Sequence, residues 1–185
     1  HAFRKAFTPN DSATLVVKAR LGDRDIDAMA VLERELAGID AILLRDTISH
    51  NEVFDLIDAC DVLISLHHSE GFGLILAEAM AMGKPVVATG YSGNIEFMTN
   101  DNSLLVDYSM ITLEHDIGPY DAGCQWADPD VGHAAKCLRQ VYSDPDLVMR
   151  IGQQAKADIK NNFSPAVIGE RYRLRLSELG LYPKS

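Results

Sequence analysis

The sequence predicts an α/β protein built on a doubly wound parallel sheet. Three observations predict it. Short runs rich in Val, Ile and Leu recur between residues 14 and 107, several are apolar at nearly every position, and stretches of helical period lie between them. Continuously apolar strands are those covered on both faces. Strand–helix alternation joins parallel neighbours through right-handed crossovers.

The elements follow in order. The chain opens on HAFRKAF (1–7), already helical in pattern, with Phe3 and Phe7 as an i, i+4 pair and no cap ahead. Such a start reads as a piece of a longer protein. TLVVKA (14–19) is the first strand. Ile26, Met29, Leu32 and Leu36 then recur at helical spacing. DAILL (40–44) is the second strand. Ser49, with Glu52 three residues on, forms a capping box for a helix over 51–60. DVLISL (61–66) is the third strand. Residues 73–82 are apolar nearly all round, as a buried helix requires, with Gly83 placed to end it and Pro85 following. KPVVAT (84–89) and SLLVD (103–107) complete the strands.

The second half differs. Residues 109–125 hold Gly118, Pro119 and Gly123 with little periodicity, which predicts a long loop or insertion. Asp128-Pro129 and Asp144-Pro145 each read as an N-cap followed by Pro at the first helical position. Helices are expected over 131–142, 146–160 and 165–179. All of residues 1–185 belong to one domain.

Composition narrows the function. Twenty-seven acidic against 17 basic residues leave a formal net charge of −10. A nonspecific nucleic-acid binder carries basic patches, so no nucleic-acid partner is expected. A small local phosphate site remains compatible. No apolar run approaches the roughly 18–20 residues of a membrane span, and no signal-peptide pattern is present. Cys60, Cys124 and Cys137 match neither a zinc pattern nor a disulfide framework. Cys60 reads as a small core residue, and the protein as cytoplasmic.

In sheets of this type ligands bind beyond the carboxyl ends of the strands. That edge collects residues 45–49, 67–73, 90–94 and the segment after Asp107. The stretch HHSEGFGLILAEAMAMGKPVVAT carries two glutamates eight residues apart, Glu70 and Glu78. It reads as strand, glycine-containing turn and helix N-terminus. The first amides of such a helix lack intrahelical partners and favour an anion. If both glutamates are near-helical, about 12 Å of rise and roughly 80° of rotation separate them. One extended ligand could touch both, and a nucleoside diphosphate sugar has that anatomy. Its hydroxyl pairs suit carboxylates, and its diphosphate suits the amides. On spacing alone a plainer reading stands beside this one. Glu70 then complements the helix dipole, and Glu78 sits on a solvated face.

EGFGLILAE followed by AMAMGKPVVAT closely resembles the E-x7-E signature of retaining GT-B glycosyltransferases of family 4 (glycosyl transferases group 1). The wider string through EFM is similar to a bacterial subgroup, and the likeness runs on through WADPDVGHAA. The resemblance implies a Rossmann-like domain, the C-terminal, donor-binding half of a GT-B fold. The donor would be a nucleoside diphosphate sugar. Glu70 would hold the sugar hydroxyls, the amides of Gly71, Phe72, Gly73 and Leu74 would take the sugar and diphosphate, and Glu78 would hold the ribose. Arg45, Thr47 and Ile48 would lie against the base. The transferase would move a hexose, as in bacterial surface polysaccharide synthesis, with no cofactor or metal.

An N-terminal domain of the same chain would carry the acceptor site and any association with the inner face of the membrane. It would also carry the Arg/Lys clamp of the family, to which neither Lys18 nor Arg20 corresponds. This piece alone is expected to bind donor without turning over. The D-x-D strings at 23–25, 25–27, 128–130 and 144–146 read as caps and helix openers rather than metal ligands.

Weaker candidates for the site are Lys18, His68, Ser92, Gly93 and Asn94, with Tyr91 beside them. His67 and His68 point to opposite faces. Trp126 reads as a packing anchor. Arg171, Arg173 and Arg175 read as a solvated face or a contact with the other domain. Two other functions stay open on the residues: a GT-B-like sugar-nucleotide epimerase and a non-catalytic nucleotide-binding module.

Overall fold

The computed structural model describes residues 1–19, 26–118 and 120–181. Five parallel strands fall into two ladders. β1 (Leu15–Lys18) pairs with β2 (Ala41–Leu44), and β3 (Leu63–Ser65), β4 (Val86–Thr89) and β5 (Leu104–Val106) pair in sequence order. Helices α1 (Ala2–Ala6), α2 (Ile26–Leu36), α3 (His50–Ala59) and α4 (Leu74–Met82) lie between or before them. The capping box at Ser49 and Glu52 is made on both sides. Gly83 ends α4 with a left-handed φ of 85°.

β4 is buried at every position, which is why its sequence is apolar without alternation. Its residues serve two cores in turn. Val87, with Leu104 and Val106 of β5, packs with Ala2, Ala6, Ala134 and Leu138. Val86 and Ala88 pack with Leu76, Ala79, Met80 and Ala155. The sheet of β3, β4 and β5 is thus covered on both faces. α1 and α5 (Val131–Ser143) cover one, and α4 and α6 (Pro145–Phe163) the other. α7 (Pro165–Glu178) follows and has no buried residue among those described. Of its arginines, Arg173 pairs with Glu170 and Arg175 with Glu178, while Arg171 lies over the Phe163 ring.

Three sequence expectations need correction. Residues 109–125, expected as a long loop or insertion, carry strand at both ends with 113–124 between them. β6 (Tyr108–Thr112) and β7 (Gln125–Pro129) form an antiparallel arm. All five residues of β6 are exposed, so no buried face imposes the alternation that marks a strand. Asp128-Pro129 ends β7 rather than capping a helix. The cap of α5 is Asp130, which accepts from the amides of Gly132 and His133, and those bonds lower its pKa. Asp144 and Pro145 do open α6 as cap and first residue. Cys60 is only half-buried, at the end of α3; the buried cysteine is Cys137. Asp23, Asp25 and Arg20 lie outside the described residues.

Two predictions follow from this packing. α6 crosses the end of α4 so closely that a Cβ on Gly152 would collide with the Gly83 carbonyl oxygen. Gly152→Ala should therefore cost about 1–3 kcal/mol in urea unfolding, as overpacking does. A change within error would show that α6 shifts freely. Asp11 takes a 2.6 Å hydrogen bond from Arg139 and two of 2.8 Å from Thr8. Arg139 above all, then the Thr8 bonds, hold its carboxyl down at about 2. A depressed carboxylate adds stability above its unfolded pKa and loses it as pH falls through the folded one. Asp11→Asn should therefore flatten the fall in Tm between about pH 4 and pH 2.

Candidate functional site

The site is built where β3 and β4 end. Beyond Ser65 the chain turns through His67, His68 and Glu70 before α4 begins. His67 ties this loop to the segment after β4. Its Nε2 lies 3.1 Å from the Tyr91 carbonyl and 3.2 Å from Asn94 Oδ1. A carbonyl only accepts, so Nε2–H donates, and Nδ1 receives the Ser65 hydroxyl at 3.2 Å. Asn94 is fully buried and gives its own amide to the Thr89 carbonyl at 2.9 Å.

The Glu70 backbone is gripped by the same segment. Its amide donates to Ser92 Oγ at 2.7 Å, and its carbonyl accepts from the Gly93 amide at 3.0 Å. Gly93 sits so close that a Cβ there would collide with the Gly71 carbonyl. Ser92 is held at φ 72°, the one non-glycine residue with positive φ among those described. Such strain persists where surroundings over-determine the backbone. Here it aims the serine hydroxyl at Glu70.

α4 starts at Leu74, with Gly73 as N-cap at φ 87° and no side-chain cap. Glu70 therefore lies ahead of the helix in the loop, so the rise and rotation expected for two helical glutamates do not apply. The amides of Gly71, Phe72, Gly73 and Leu74 find no acceptor among the described residues. Gly71 and Leu74, at the two ends of this row of donors, are exposed, whereas Phe72 is half-buried and Gly73 is buried. The polarity of the row suits an anion, with the dipole of α4 behind it.

Glu70 is half-buried, and its carboxylate has no hydrogen bond or ion pair among the described residues. Glu78 keeps 27 % of its side-chain exposure and lies 4.0 Å from His50 Nε2. It is therefore half-shielded rather than fully solvated. The two carboxylates thus flank a stretch of free amides.

The weaker candidates divide. Ser92 and Gly93 are brought to Glu70 but are engaged in holding its backbone, and Asn94 is engaged by His67 and Thr89. His68 turns to the arm: its ring stacks on Trp126 at 4.4 Å, and Nδ1 meets the Ala127 carbonyl at 2.6 Å. Arg45 pairs with Glu33. Thr47 is exposed and Ile48 half-buried in the same loop before α3. Lys18 is exposed at the end of β1, and no hydrogen bond or ion pair links it to Glu70. Sequence reasoning did not place His50 beside Glu78 or the arm beside His68. The first had a local signal in the helix opening at Ser49; the second had none.

Fold and site together define a parallel α/β domain with two carboxylates, Glu70 and Glu78, on either side of a helix N-terminus in the chain. The chain belongs to the glycosyl transferases group 1 family, which matches it over residues 4–112. It is 34 % identical over 85 residues to D-inositol 3-phosphate glycosyltransferase of Xylanimonas cellulosilytica, covering 45 % of this chain and 20 % of that one. To trehalose synthase of Rubrobacter xylanophilus it is 26 % identical over 122 residues, covering 65 % and 24 %. The chain thus spans no more than about a quarter of the length of these relatives.

Among solved structures, HepE of Anabaena, in complex with UDP and glucose, superposes with a TM-score of 0.69 at 20 % identity, over 89 % of this chain and 40 % of that one. The C-terminal domain of the group 1 glycosyl transferase LpcC of Francisella tularensis gives 0.64 at 24 %, over 82 % and 70 %. These likenesses establish the fold, which matches the Rossmann-like C-terminal domains of GT-B glycosyltransferases. Among the described residues no helix is long and apolar enough to cross a membrane.

One prediction tests the clamp. Asn94→Ala removes a buried group that serves both His67 and Thr89. It should lower stability by about 1–3 kcal/mol in urea unfolding, the cost of leaving buried partners unmatched. An unaltered midpoint would show that the two loops do not depend on it.

Proposed function

We propose that this chain is the donor-binding half of a retaining glycosyltransferase. It takes a hexose from a nucleoside diphosphate sugar and passes it to a glycan or lipid-linked acceptor in bacterial surface polysaccharide synthesis. The carrying observation is the row of unpaired amides from Gly71 to Leu74, flanked by Glu70 and Glu78. Solved complexes of HepE with UDP and with UDP-glucose support a nucleotide-sugar donor.

In this reading Glu70 accepts from the sugar hydroxyls and orients the ring. The amides and the positive end of α4 take the charge that grows on the diphosphate as the glycosidic bond breaks. Glu78 accepts from the ribose hydroxyl pair, next to His50. The base lies toward Arg45, Thr47 and Ile48. Metal-independent chemistry fits a site in which backbone dipoles stabilise the leaving group, and Asp130 and Asp144 are already occupied as helix caps. Further positive charge and the acceptor site come from an N-terminal domain of the whole protein, through which it reaches the inner face of the membrane from the cytoplasm.

Calorimetry with UDP-, GDP- and dTDP-sugars and the free nucleotides tests the reading. Glu78→Ala should weaken free nucleotide and nucleotide sugar alike by about tenfold or more, as for losing a charged hydrogen-bond acceptor. Glu70→Ala should leave free nucleotide binding intact and remove only the gain due to the sugar. The chain alone should not transfer sugar. Failure to bind any nucleotide sinks the donor reading, and transfer by the purified chain sinks the assignment as half of a site.

A further inference from the structure

The arm of β6 and β7 has no role in the site described so far, yet it is fastened to that site at several points. All of them lie at the carboxyl edge of the sheet. Beyond β5, the Asp107 carbonyl accepts from the Asp130 amide at 2.7 Å, closing the base of the arm. Beyond β4, the Tyr91 ring meets Tyr108 at 5.1 Å. Beyond β3, His68 and Ala127 exchange two bonds. The Ala127 amide donates to the His68 carbonyl at 3.1 Å, and His68 Nδ1–H donates to the Ala127 carbonyl at 2.6 Å. The His68 ring lies flat on Trp126, 12° from parallel, and Tyr120 meets the Trp126 ring edge-on at 5.6 Å.

His68 stands two residues before Glu70. The loop that carries Glu70 is therefore held from two sides. Ser92 and Gly93 hold its peptide groups, and the arm holds the chain that leads into it. Among the described residues Glu78 has no such attachment; it faces His50 on α3. The arm thus acts at one end of the site only. Among the described residues the buried side-chain polar atoms without a partner are Thr89 Oγ1 and Trp126 Nε1, and both sit at this edge. A buried donor left unpaired costs stability, so its retention calls for a reason other than packing.

We propose that the β6–β7 arm sets the discrimination between donor sugars, with Trp126 and His68 as positioning residues for Glu70. The inference rests on the donor reading above. A carboxylate that must match the hydroxyl pattern of a hexose has to be placed to a fraction of an ångström. The stack supplies that placement through a rigid ring pair, whereas the nucleotide end is set by α3 and α4.

The test measures dissociation constants by calorimetry for one free nucleoside diphosphate and for its two epimeric sugars, glucose and galactose, on the base the wild type binds best. The wild type should separate the epimers by about tenfold, and Trp126→Ala should bring that ratio to near one while free nucleotide affinity stays within about threefold. Should Trp126→Ala fail to fold, His68→Gln and Trp126→Phe carry the test. His68→Gln keeps a donor for the Ala127 carbonyl but removes the stack, so it should lose the discrimination with Tm unchanged. Trp126→Phe keeps a ring and should retain it. Trp126 is the only tryptophan of the chain, so its emission should shift on adding nucleotide sugar and not on adding nucleotide.

A Trp126→Ala or His68→Gln variant that folds and keeps the wild-type ratio overturns the proposal, as does a folded Trp126→Phe that loses it. So does equal loss of nucleotide and sugar affinity, or a wild type that does not separate the epimers. A wild type that binds no nucleotide overturns the donor reading itself, and this inference with it.

Discussion

Everything at the site depends on the two-sided burial of β4. Val86, Val87, Ala88 and Thr89 have no exposed surface. Removing apolar surface from water is the main favourable term in folding, and this strand does so against both helix layers at once. Its end is consequently anchored by packing from both layers. The turn at Ser92 and Gly93 starts from there, and so does the grip on Glu70. Displacing β4 would move the clamp, the glutamate and the start of α4 together.

The clamp explains why some polar groups at this edge are free and others are not. Asn94, His67, Ser92 and Gly93 bond to one another or to the Glu70 backbone. Their hydrogen bonds are satisfied inside the protein. Among the described residues the amides of 71–74 and the Glu70 carboxylate are left over. Groups held in place with their own bonds unmade are preorganised for a ligand, because binding then requires little reordering. The positive φ of Ser92 is strain kept for that arrangement.

Much of the fold was legible because it is local or periodic. Strand cores β1 to β5 fall inside the expected runs, and the capping box at Ser49 and the end of α4 at Gly83 stand as read. Each rests on neighbours in the chain, a capping pair three residues apart or a glycine at positive φ. The arm was illegible for the opposite reason. Tyr108 to Thr112 face solvent, so burial wrote no pattern into them, and their partners come from a strand after an intervening loop. The division of the parallel strands into two ladders was also beyond periodicity, since a strand's sequence does not name its neighbour.

The same boundary runs through the site. The glycine-flanked helix start between Glu70 and Glu78 was determined by the sequence alone, because a helix N-terminus exposes its first amides wherever it occurs. Tertiary structure decided which polar groups stay available. His67 meets Asn94, and His68 meets Trp126, only once the ends of β3 and β4 and the arm are brought together. Sequence lists donors and acceptors, but hydrogen bonds are exclusive. Which of them remain for a ligand is settled only when the packed chain has used the rest.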